Sequence, residues 1–319
     1  LLIMPIMFAM GYDSMTTFMT VCLSATVGYA ASTVNPFCVL IAQGIAGIQG
    51  NPQLVFRMIQ WLIMMSVIIG FVTWRALKIK KNPEKSITYQ SDILKKKEMN
   101  TDVDFDKPMT IRQKLVLLTF VVGMIIVVVG LVKNGWYMNE LSMCFLAMGI
   151  LMGIFGGLKE TEIAEEFING VKDIAFAAMV IGFCSGIMVV AQDGMIIDTI
   201  LNALSNLVAT SSNAVFSAVM YVVQSLLTLL VPSSSGLAAL SMPVMAPLCD
   251  LHGVNPEAAV TALQYGNQLT NLMSPVAGTT VAGLAICKIS FAQWWKTIWK
   301  VFLILAALAI AFCTISAGL

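Results

Sequence analysis

Side chains that could bind a solute lie inside one of the most apolar parts of the chain, between residues 266 and 288. Each carries a neutral amide or hydroxyl group; they are Asn267, Gln268, Thr270, Asn271, Ser274, Thr279 and Thr280, with Gly278 among them. Pro275 removes a backbone donor and clashes with the preceding turn, so a helix over 256–288 is predicted to break there. A broken helix at membrane depth persists only where protein or a watery cavity satisfies its freed backbone groups. This stretch therefore predicts a solute site built from an unwound membrane helix.

A second stretch has the same design. Residues 32–36 read Ser-Thr-Val-Asn-Pro and residues 271–275 read Asn-Leu-Met-Ser-Pro, and their flanks also agree, with Pro5 opposite Pro243 and Gly44 opposite Gly283. Paired interrupted segments in two halves of a membrane chain indicate the binding site of a secondary transporter. The alternative is chance similarity between two Gly/Ala-rich apolar helices.

Composition places the chain in a membrane. Its 319 residues are 58% hydrophobic and 11% charged, with a mean hydropathy of +0.87, whereas a soluble domain carries about 25% charged residues. The fold class expected is an all-α polytopic membrane protein. The formal net charge of +1 gives no indication of a nucleic-acid partner. Seven scattered cysteines and the lone His252 predict neither a disulfide framework nor a metal cluster.

Three regions follow from the charge pattern. Residues 1–77 form the end of a first repeat, made of a hairpin tail over 1–12, the interrupted segment 14–48 and a span over 53–77. Residues 78–114 form a charged linker. Residues 115–319 form a second repeat. By the positive-inside rule the linker is cytoplasmic, because its basic residues cluster next to a span; they are Lys78, Lys80, Lys81, Lys85, Lys95, Lys96, Lys97, Lys107 and Arg112. A solvated loop is favoured for it over a lipid-binding or regulatory segment.

The second repeat contains several predicted spans. Residues 115–133 run outward and 140–158 inward, residues 159–173 form an amphipathic helix on the inner surface, and 174–191 run outward again. Asp193 and Asp198 follow, either as interfacial acids or as functional ones. The last span is 301–317. Before it, an aromatic and basic anchor is predicted at the inner interface, formed by Trp294, Trp295, Lys296, Trp299 and Lys300. The two interrupted segments then run in opposite directions, which predicts inverted repeats.

A hairpin is expected over 213–248. Its tip carries Ser233, Ser234, Ser235 and Gly236, and hydroxyls with free amides at a helix start can receive an anion. We expect the tip near mid-membrane, entered from outside. The alternative is a serine-rich turn between two full spans.

The beginning of the chain lies inside an apolar run, at Leu1. The first repeat has no counterpart to the long segment that precedes Ser241 in the second. We therefore expect an amino-terminally truncated fragment of a larger transporter, with half of one repeat absent.

The candidate substrate and ion ligands come from these three segments and are Ser32, Thr33, Asn35, Pro36, Ser233, Ser234, Ser235, Gly236, Asn267, Thr270, Asn271, Ser274, Pro275, Gly278 and Thr279. Neutral oxygens suit sodium, with Ser32, Asn35, Asn271 and Ser274 as ligands, while amides and hydroxyls suit a carboxylate. A proton is the alternative coupling ion, and no other cofactor is expected. Neither metalloprotease nor P-loop nor nucleophile-elbow motifs occur, so an enzyme is not predicted. An ion channel is the weaker transport class.

Two runs carry a resemblance to a known family. GYAASTVNPFCVLIAQGIAGI at 28–48 and VPSSSGLAALSMPVMAPLCDLHGV at 231–254, with QYGNQLTNLMSPVAGTT at 264–280, resemble the anaerobic four-carbon-dicarboxylate carrier family, and most closely its YfcC-like branch, of which some members are assigned as arginine/ornithine antiporters. The resemblance implies the ion-transporter superfamily, with inverted repeats, re-entrant hairpins and a dimeric scaffold. It also implies that the hairpin tip and the two breaks hold substrate and coupling ion. The spaced motifs depart from the Ser-Asn-Thr signature of sodium/dicarboxylate cousins, so coupling and substrate stay open.

The function predicted from the sequence is alternating-access transport of a small carboxylate-bearing metabolite, a dicarboxylate or an amino acid, across the cytoplasmic membrane. One alternative is a basic amino acid antiporter of the arginine/ornithine type. Another is a membrane scaffold that transports nothing. The expected partners are a small-molecule substrate, the lipid bilayer and a second copy in a homodimer, without nucleic acid. No carboxylate at depth is expected in this chain.

Overall fold

The computed structural model describes residues 3–35, 37–98, 109–134, 136, 138–196, 199 and 212–319. Throughout these residues the regular structure is helical, without strands, which confirms the all-α fold class. The helices are α1 Ile3–Ala9, α2 Ser14–Phe18, α3 Ser24–Ala30, α4 Val39–Ile45, α5 Leu54–Lys81, α6 Tyr89–Glu98, α7 Ile111–Asn134, α8 Met138–Gly156, α9 Glu160–Asp193, α10 Asn213–Leu230, α11 Ser234–His252, α12 Glu257–Met273, α13 Gly278–Ile286 and α14 Phe291–Gly318. A π-helical turn, Met19–Leu23, joins α2 to α3, and a 3₁₀ turn, Pro83–Lys85, precedes α6.

The chain divides into two compact units. One comprises residues 1–101 and 176–319, and the other comprises residues 102–175. In the second unit α7 packs against α8. The first unit contains every residue predicted for the solute site.

Six segments among the described residues are long and apolar enough to cross a membrane. They are Leu54–Lys81, Asn139–Gly156, Asn213–Leu230, Ser234–His252, Glu257–Ile286 and Phe291–Gly318. A crossing needs about 20 apolar residues. The predicted polytopic membrane protein is thereby confirmed.

Both predicted interruptions are present. The first interrupted segment runs from α2 to α3, loses helical structure after Ala30 and resumes in α4 at Val39. The second ends α12 at Met273, passes through an extended Ser274 and resumes in α13 at Gly278. We call residues 31–38 the first break and residues 274–277 the second break. Pro36, one of the predicted site residues, lies outside the described residues.

Helix α12 is the centre of the first unit. It packs against α3, α4, α10, α11 and α14, and nearly all its side chains are buried. Close approach to α10 depends on Gly266, because a β-carbon there would lie 2.7 Å from Gln224 Cβ and 3.1 Å from the backbone N of Ser225. The register of α12 therefore sets where its polar side chains meet the neighbouring helices.

Three predicted boundaries differ from the structure. The amphipathic helix 159–173 and the span 174–191 are one continuous helix, α9, which contains no proline and runs through Asn169 and Gly170 without a break. The last span begins at Phe291, where Ser290 and Gln293 form a capping box. The hairpin over 213–248 is present as α10 and α11, and its second arm runs on to His252, with Gly253 in the left-handed conformation that ends it.

The tryptophans in the first turns of α14 also contact the protein interior. Trp294 is fully buried, with its ring edge-on to Phe18 at 4.7 Å. Its Nε1 donates to the carbonyl of Leu272 at 2.7 Å, and Trp295 Nε1 donates to the carbonyl of Met273 at 3.0 Å. The prediction of a purely interfacial anchor is therefore wrong for Trp294, since the indoles pair carbonyls that the second break leaves without helical donors.

The charged linker is also folded in its first half. Asp92 on α6 accepts hydrogen bonds from the backbone N of Ser14 at 2.9 Å and from Ser14 Oγ at 2.6 Å, and Lys95 Nζ lies 2.8 Å from the same carboxylate. Asp13, the N-cap of α2, pairs with Arg75 at 2.9 Å and accepts from Ser86 Oγ.

Four polar residues of the described part of the linker are buried, namely Ser86, Thr88, Asp92 and Lys95. The expectation of a solvated loop is wrong for residues 83–98, because carboxylates at the start of a helix bind its unpaired amides.

Asp92→Ala is expected to destabilise the protein by about 3 kcal/mol, because it leaves Lys95 buried without its acid and Ser14 N without its acceptor. The measurement is thermal unfolding of the purified protein in detergent. Gln90→Ala, at an exposed position of the same helix, is the matched control and should melt as the parent does. Equal melting of the two variants would contradict the buried contact.

Trp294→Phe is expected to cost about 1–3 kcal/mol, because the carbonyl of Leu272 loses its donor in a buried place. Trp299→Phe on the same helix, where the ring is 44% exposed, should change stability little. Thermal unfolding checks both variants. If Trp294→Phe were as stable as Trp299→Phe, the hydrogen bond from the Trp294 indole at the second break would contribute nothing to the free energy of unfolding.

Candidate functional site

The hairpin tip, which we define as residues 231–236, meets the first break. The hydroxyl of Tyr29, in the last turn of α3, lies 2.9 Å from Ser234 Oγ. Ser234 Oγ also donates to the carbonyl of Phe37 at 3.5 Å. Residues more than 190 positions apart in the chain are thereby joined. Two of the three segments predicted to form the solute site are in contact.

Amides on α12 hold the same tip from another side. Asn271 Nδ2 donates to the carbonyl of Pro232 at 3.0 Å. Asn267 Nδ2 donates to the same carbonyl and to Thr228 Oγ1, both at 3.3 Å. This carbonyl lies just beyond the end of α10, where a helix has no further amides of its own to offer. The two asparagines, one helical turn apart, therefore fix the tip against the helix that leads into the second break.

Gln264, one turn earlier on α12, reaches the first break. Its Nε2 donates to the carbonyl of Ser32 at 2.8 Å and approaches Ser32 Oγ at 3.0 Å and the carbonyl of Tyr29 at 3.3 Å. The sequence prediction did not include Gln264. Its position on the face of α12 that also carries Asn267 and Asn271 could have indicated it, since residues three and four apart share a helix face.

Within each break, side chains stabilise the local turn. Asn35 Oδ1 accepts from the backbone N of Phe37 at 2.9 Å, and Ser274 Oγ accepts from the backbone N of Val276 at 3.3 Å. Such bonds to the backbone two residues on are typical of Asx and Ser/Thr turns. At the tip, Ser233 caps α11 by accepting from the backbone N of Gly236 at 3.3 Å.

The remaining predicted site residues differ in exposure. Ser32, Thr33, Ser234, Ser235, Gly236, Thr270 and Gly278 are half-buried, whereas Ser233, Pro275 and Thr279 are exposed. Asn35, Asn267, Asn271 and Ser274 are buried. Thr33 takes part through its carbonyl, which accepts from Asn51 Nδ2 at 2.9 Å.

One predicted ligand atom stands apart from the others. Asn271 Oδ1 is buried and has no hydrogen-bond partner among the described residues, although the Nδ2 of the same side chain is bonded to the tip. Buried carbonyl oxygens are normally paired, because leaving one unpaired costs about 1–3 kcal/mol. This oxygen, next to both the tip and the second break, is therefore free to accept a donor or a cation.

An ion pair that the sequence analysis did not consider lies at the start of α12. Arg57 Nη2 on α5 is 2.5 Å from Glu257 Oε2, and both side chains are almost fully buried, at 1% and 0% exposed. Glu257 Oε1 accepts from Gln43 Nε2 at 2.7 Å, and Arg57 Nη1 donates to Gln264 Oε1 at 2.8 Å. Glu257 was not among the predicted site residues, although its carboxylate is buried at the start of α12. A lone Arg and a lone Glu at the ends of candidate spans were the signal, because such residues are functional candidates by default.

The pair is strongly constrained by its surroundings. Removing one partner of a buried ion pair costs about 3–5 kcal/mol, because the other charge is left without compensation. The Arg57–Glu257 pair connects α5 and α12 directly, α4 through Gln43 and the end of α3 through Gln264. The charges of the pair cancel, so this part of the interior carries no net charge.

Two curated bacterial proteins resemble the chain over most of its length. The chain is 34% identical, over 93% of its length and 60% of the other protein, to the "Putative basic amino acid antiporter YfcC" of Escherichia coli (strain K12). It is 35% identical, over 92% of its length and 58% of the other, to an "Uncharacterized protein" of Haemophilus influenzae (strain ATCC 51907 / DSM 11121 / KW20 / Rd). The chain thus spans about three fifths of the length of these relatives. No solved structure matches it significantly.

The resemblance stated from the two sequence runs is confirmed by a family match over nearly the whole chain. The profile described as "DcuC: C4-dicarboxylate anaerobic carrier" matches residues 1–317. With its interrupted helices and spanning segments, the chain is an integral membrane protein of a transporter family. It belongs to the DcuC family of C4-dicarboxylate anaerobic carriers.

Proposed function

We propose that the protein is a secondary active transporter that exchanges small amino acids bearing a carboxylate, with a dicarboxylate as the second candidate substrate. The observation that carries the proposal is the meeting of the hairpin tip with the first break, through Tyr29 and Ser234, beside the unpaired Asn271 Oδ1. Unwound segments from two halves of a chain supply backbone and side-chain ligands in secondary transporters.

Groups suited to a carboxylate are present at the tip. The first amides of α11 have no helical acceptor, and of these the amide of Gly236 bonds Ser233 Oγ. The hydroxyls of Ser233 and Ser235 lie 3.4 Å apart at the same place. A helix N-terminus with hydroxyls attracts a carboxylate through its dipole and its donors.

The ion pairs count against a dicarboxylate. Within the described part of the chain, the buried residues Arg57 and Lys95 and the partly buried Arg75 each pair with an acid. A second substrate carboxylate would therefore need a cation that these pairs do not offer. The Escherichia coli relative, whose name gives basic amino acids as its substrates, supports the same choice, and exchange of two substrates of equal charge would need no net charge movement.

Where an ion rather than a second substrate drives transport, sodium is the ion that the donor set fits. Among the four predicted ligands, Asn271 Oδ1 is unpaired, and the oxygens of Ser32, Asn35 and Ser274 take part in turns. Neutral oxygens of this kind are the ligands that sodium uses at unwound helices. The proposal leaves a proton as the alternative.

The proposal also places the protein in the cytoplasmic membrane as a homodimer. The basic residues at the end of α5, Lys78, Lys80 and Lys81, support a cytoplasmic linker by the positive-inside rule. Inverted repeats follow if the two interrupted segments run in opposite directions.

Replacing Asn271 and Ser274 together with alanine is expected to reduce transport by about tenfold or more while membrane insertion is retained, because one substitution frees the tip and the other loosens the second break. The measurement is substrate uptake into proteoliposomes, with melting to confirm folding. A double variant of exposed residues of the same types, Ser66→Ala with Asn213→Ala, should transport normally. Normal transport by the first double variant would refute the site.

The substrate can be identified by counterflow. Proteoliposomes that contain the full-length protein are preloaded with arginine, ornithine, succinate or malate and are given labelled arginine or labelled succinate, with and without sodium. We expect labelled arginine to enter against internal ornithine, because the tip offers one carboxylate site and the buried cations are paired. Uptake of succinate alone would overturn the amino-acid assignment in favour of dicarboxylate transport, and no uptake of either would favour a membrane scaffold.

A further inference from the structure

We propose that Arg57 is a positioning residue for the transport site, which orients the side chain of Gln264 so that its amide nitrogen holds the first break. This inference rests on the proposed function, because it assigns a role beside the same site. Arg57 lies on α5, outside the three segments that meet there, and acts through Gln264.

The hydrogen-bonding chemistry leaves one orientation for the Gln264 amide. An arginine guanidinium only donates and a backbone carbonyl only accepts. Arg57 Nη1, 2.8 Å from Gln264 Oε1, therefore requires the amide oxygen to face α5. The amide nitrogen must then face the carbonyl of Ser32, 2.8 Å away. Without Arg57 the amide could rotate and would no longer hold that carbonyl.

Glu257 holds Arg57 in place and also contacts α4, the helix that follows the first break. Its Oε2 accepts from Arg57, and its Oε1 accepts from Gln43 on α4. The end of α3 is held through Gln264 and α4 is held through Gln43 in its last turn, so one ion pair connects the helices on both sides of the first break. Tyr29, whose carbonyl also lies near Gln264 Nε2, carries the hydroxyl that meets Ser234 at the tip. A change in the break therefore reaches the proposed substrate contacts.

If the ion pair only stabilised the fold, a variant that removes both charges and stays folded would transport as the parent does. Replacing both members of a buried ion pair with uncharged residues of similar size is often neutral for stability, whereas removing one member is not. Arg57→Met with Glu257→Gln removes both charges and keeps the volume, but it removes the donor that orients Gln264. Arg57→Lys keeps the positive charge opposite Glu257. A lysine ammonium, however, lacks the planar guanidinium with which Arg57 donates to Glu257 and to Gln264 at the same time.

The first experiment measures uptake kinetics in proteoliposomes. Both the double variant and Arg57→Lys are expected to remain folded, with a melting temperature lowered only by the lost donor to Gln264 Oε1. Both should show a transport efficiency about tenfold lower, mainly through a higher KM. The control is Ser316→Ala, which breaks a buried bond to Gln53 near the same end of α5 but touches neither the break nor Gln264. It should transport as the parent does.

The second experiment does not depend on transport. Cys38 lies in the first break and is fully buried, so in a protein that retains it as the sole cysteine it should react slowly with a maleimide. We expect about tenfold faster labelling in the double variant, because the break is no longer held, and the parent rate with Ser316→Ala.

The outcomes separate this inference from the proposed function. Parent-like labelling of Cys38 and parent-like KM in the stable double variant would overturn the positioning role and leave transport standing. Absence of transport in the parent, with faster Cys38 labelling in the double variant, would overturn the proposed function and keep the link between Arg57 and the break. Restoration of parent KM by Arg57→Lys would show that only the charge matters, which also contradicts the inference.

Discussion

The structure depends on pairing the backbone groups that two broken helices release inside an apolar interior. Without water, each unpaired carbonyl or amide would be costly. At the first break Gln264 pairs the carbonyl of Ser32, and at the second break Trp294 and Trp295 pair the carbonyls of Leu272 and Met273. The same need places Asn267 and Asn271 against the hairpin tip. Polar side chains in this chain are thus first of all partners of the backbone.

Ion pairs further restrict how these helices can move. The ion pairs among the described residues each connect different helices or secure a helix start, namely Arg57–Glu257, Arg75–Asp13 and Lys95–Asp92. A buried pair contributes little net stability but makes any rearrangement that separates it expensive. The pairs therefore restrict which helices can move independently, and α12 cannot shift along α5 without disturbing the first break.

Helix α12 combines these constraints. It contacts the hairpin, both parts of the first interrupted segment and the last helix, and Gly266 allows α10 close enough for Asn267 to reach Thr228. Three polar side chains at successive turns, Gln264, Asn267 and Asn271, then serve the first break and the tip. A carrier that changes conformation would have to move these contacts together.

The amino-acid sequence by itself determined the membrane class, the two breaks and the hairpin, because low charge, Asn-Pro and Ser-Pro motifs and a serine-rich turn act locally. Only the tertiary structure decided which polar groups meet. Arg57 and Glu257 are 200 positions apart, and Trp294 and Phe18 are further apart still. No local pattern encodes such pairings. The linker also could not be predicted from local sequence. Its charges predicted a solvated loop. In the folded protein the backbone amide of Ser14 lies near Asp92 and binds its buried carboxylate.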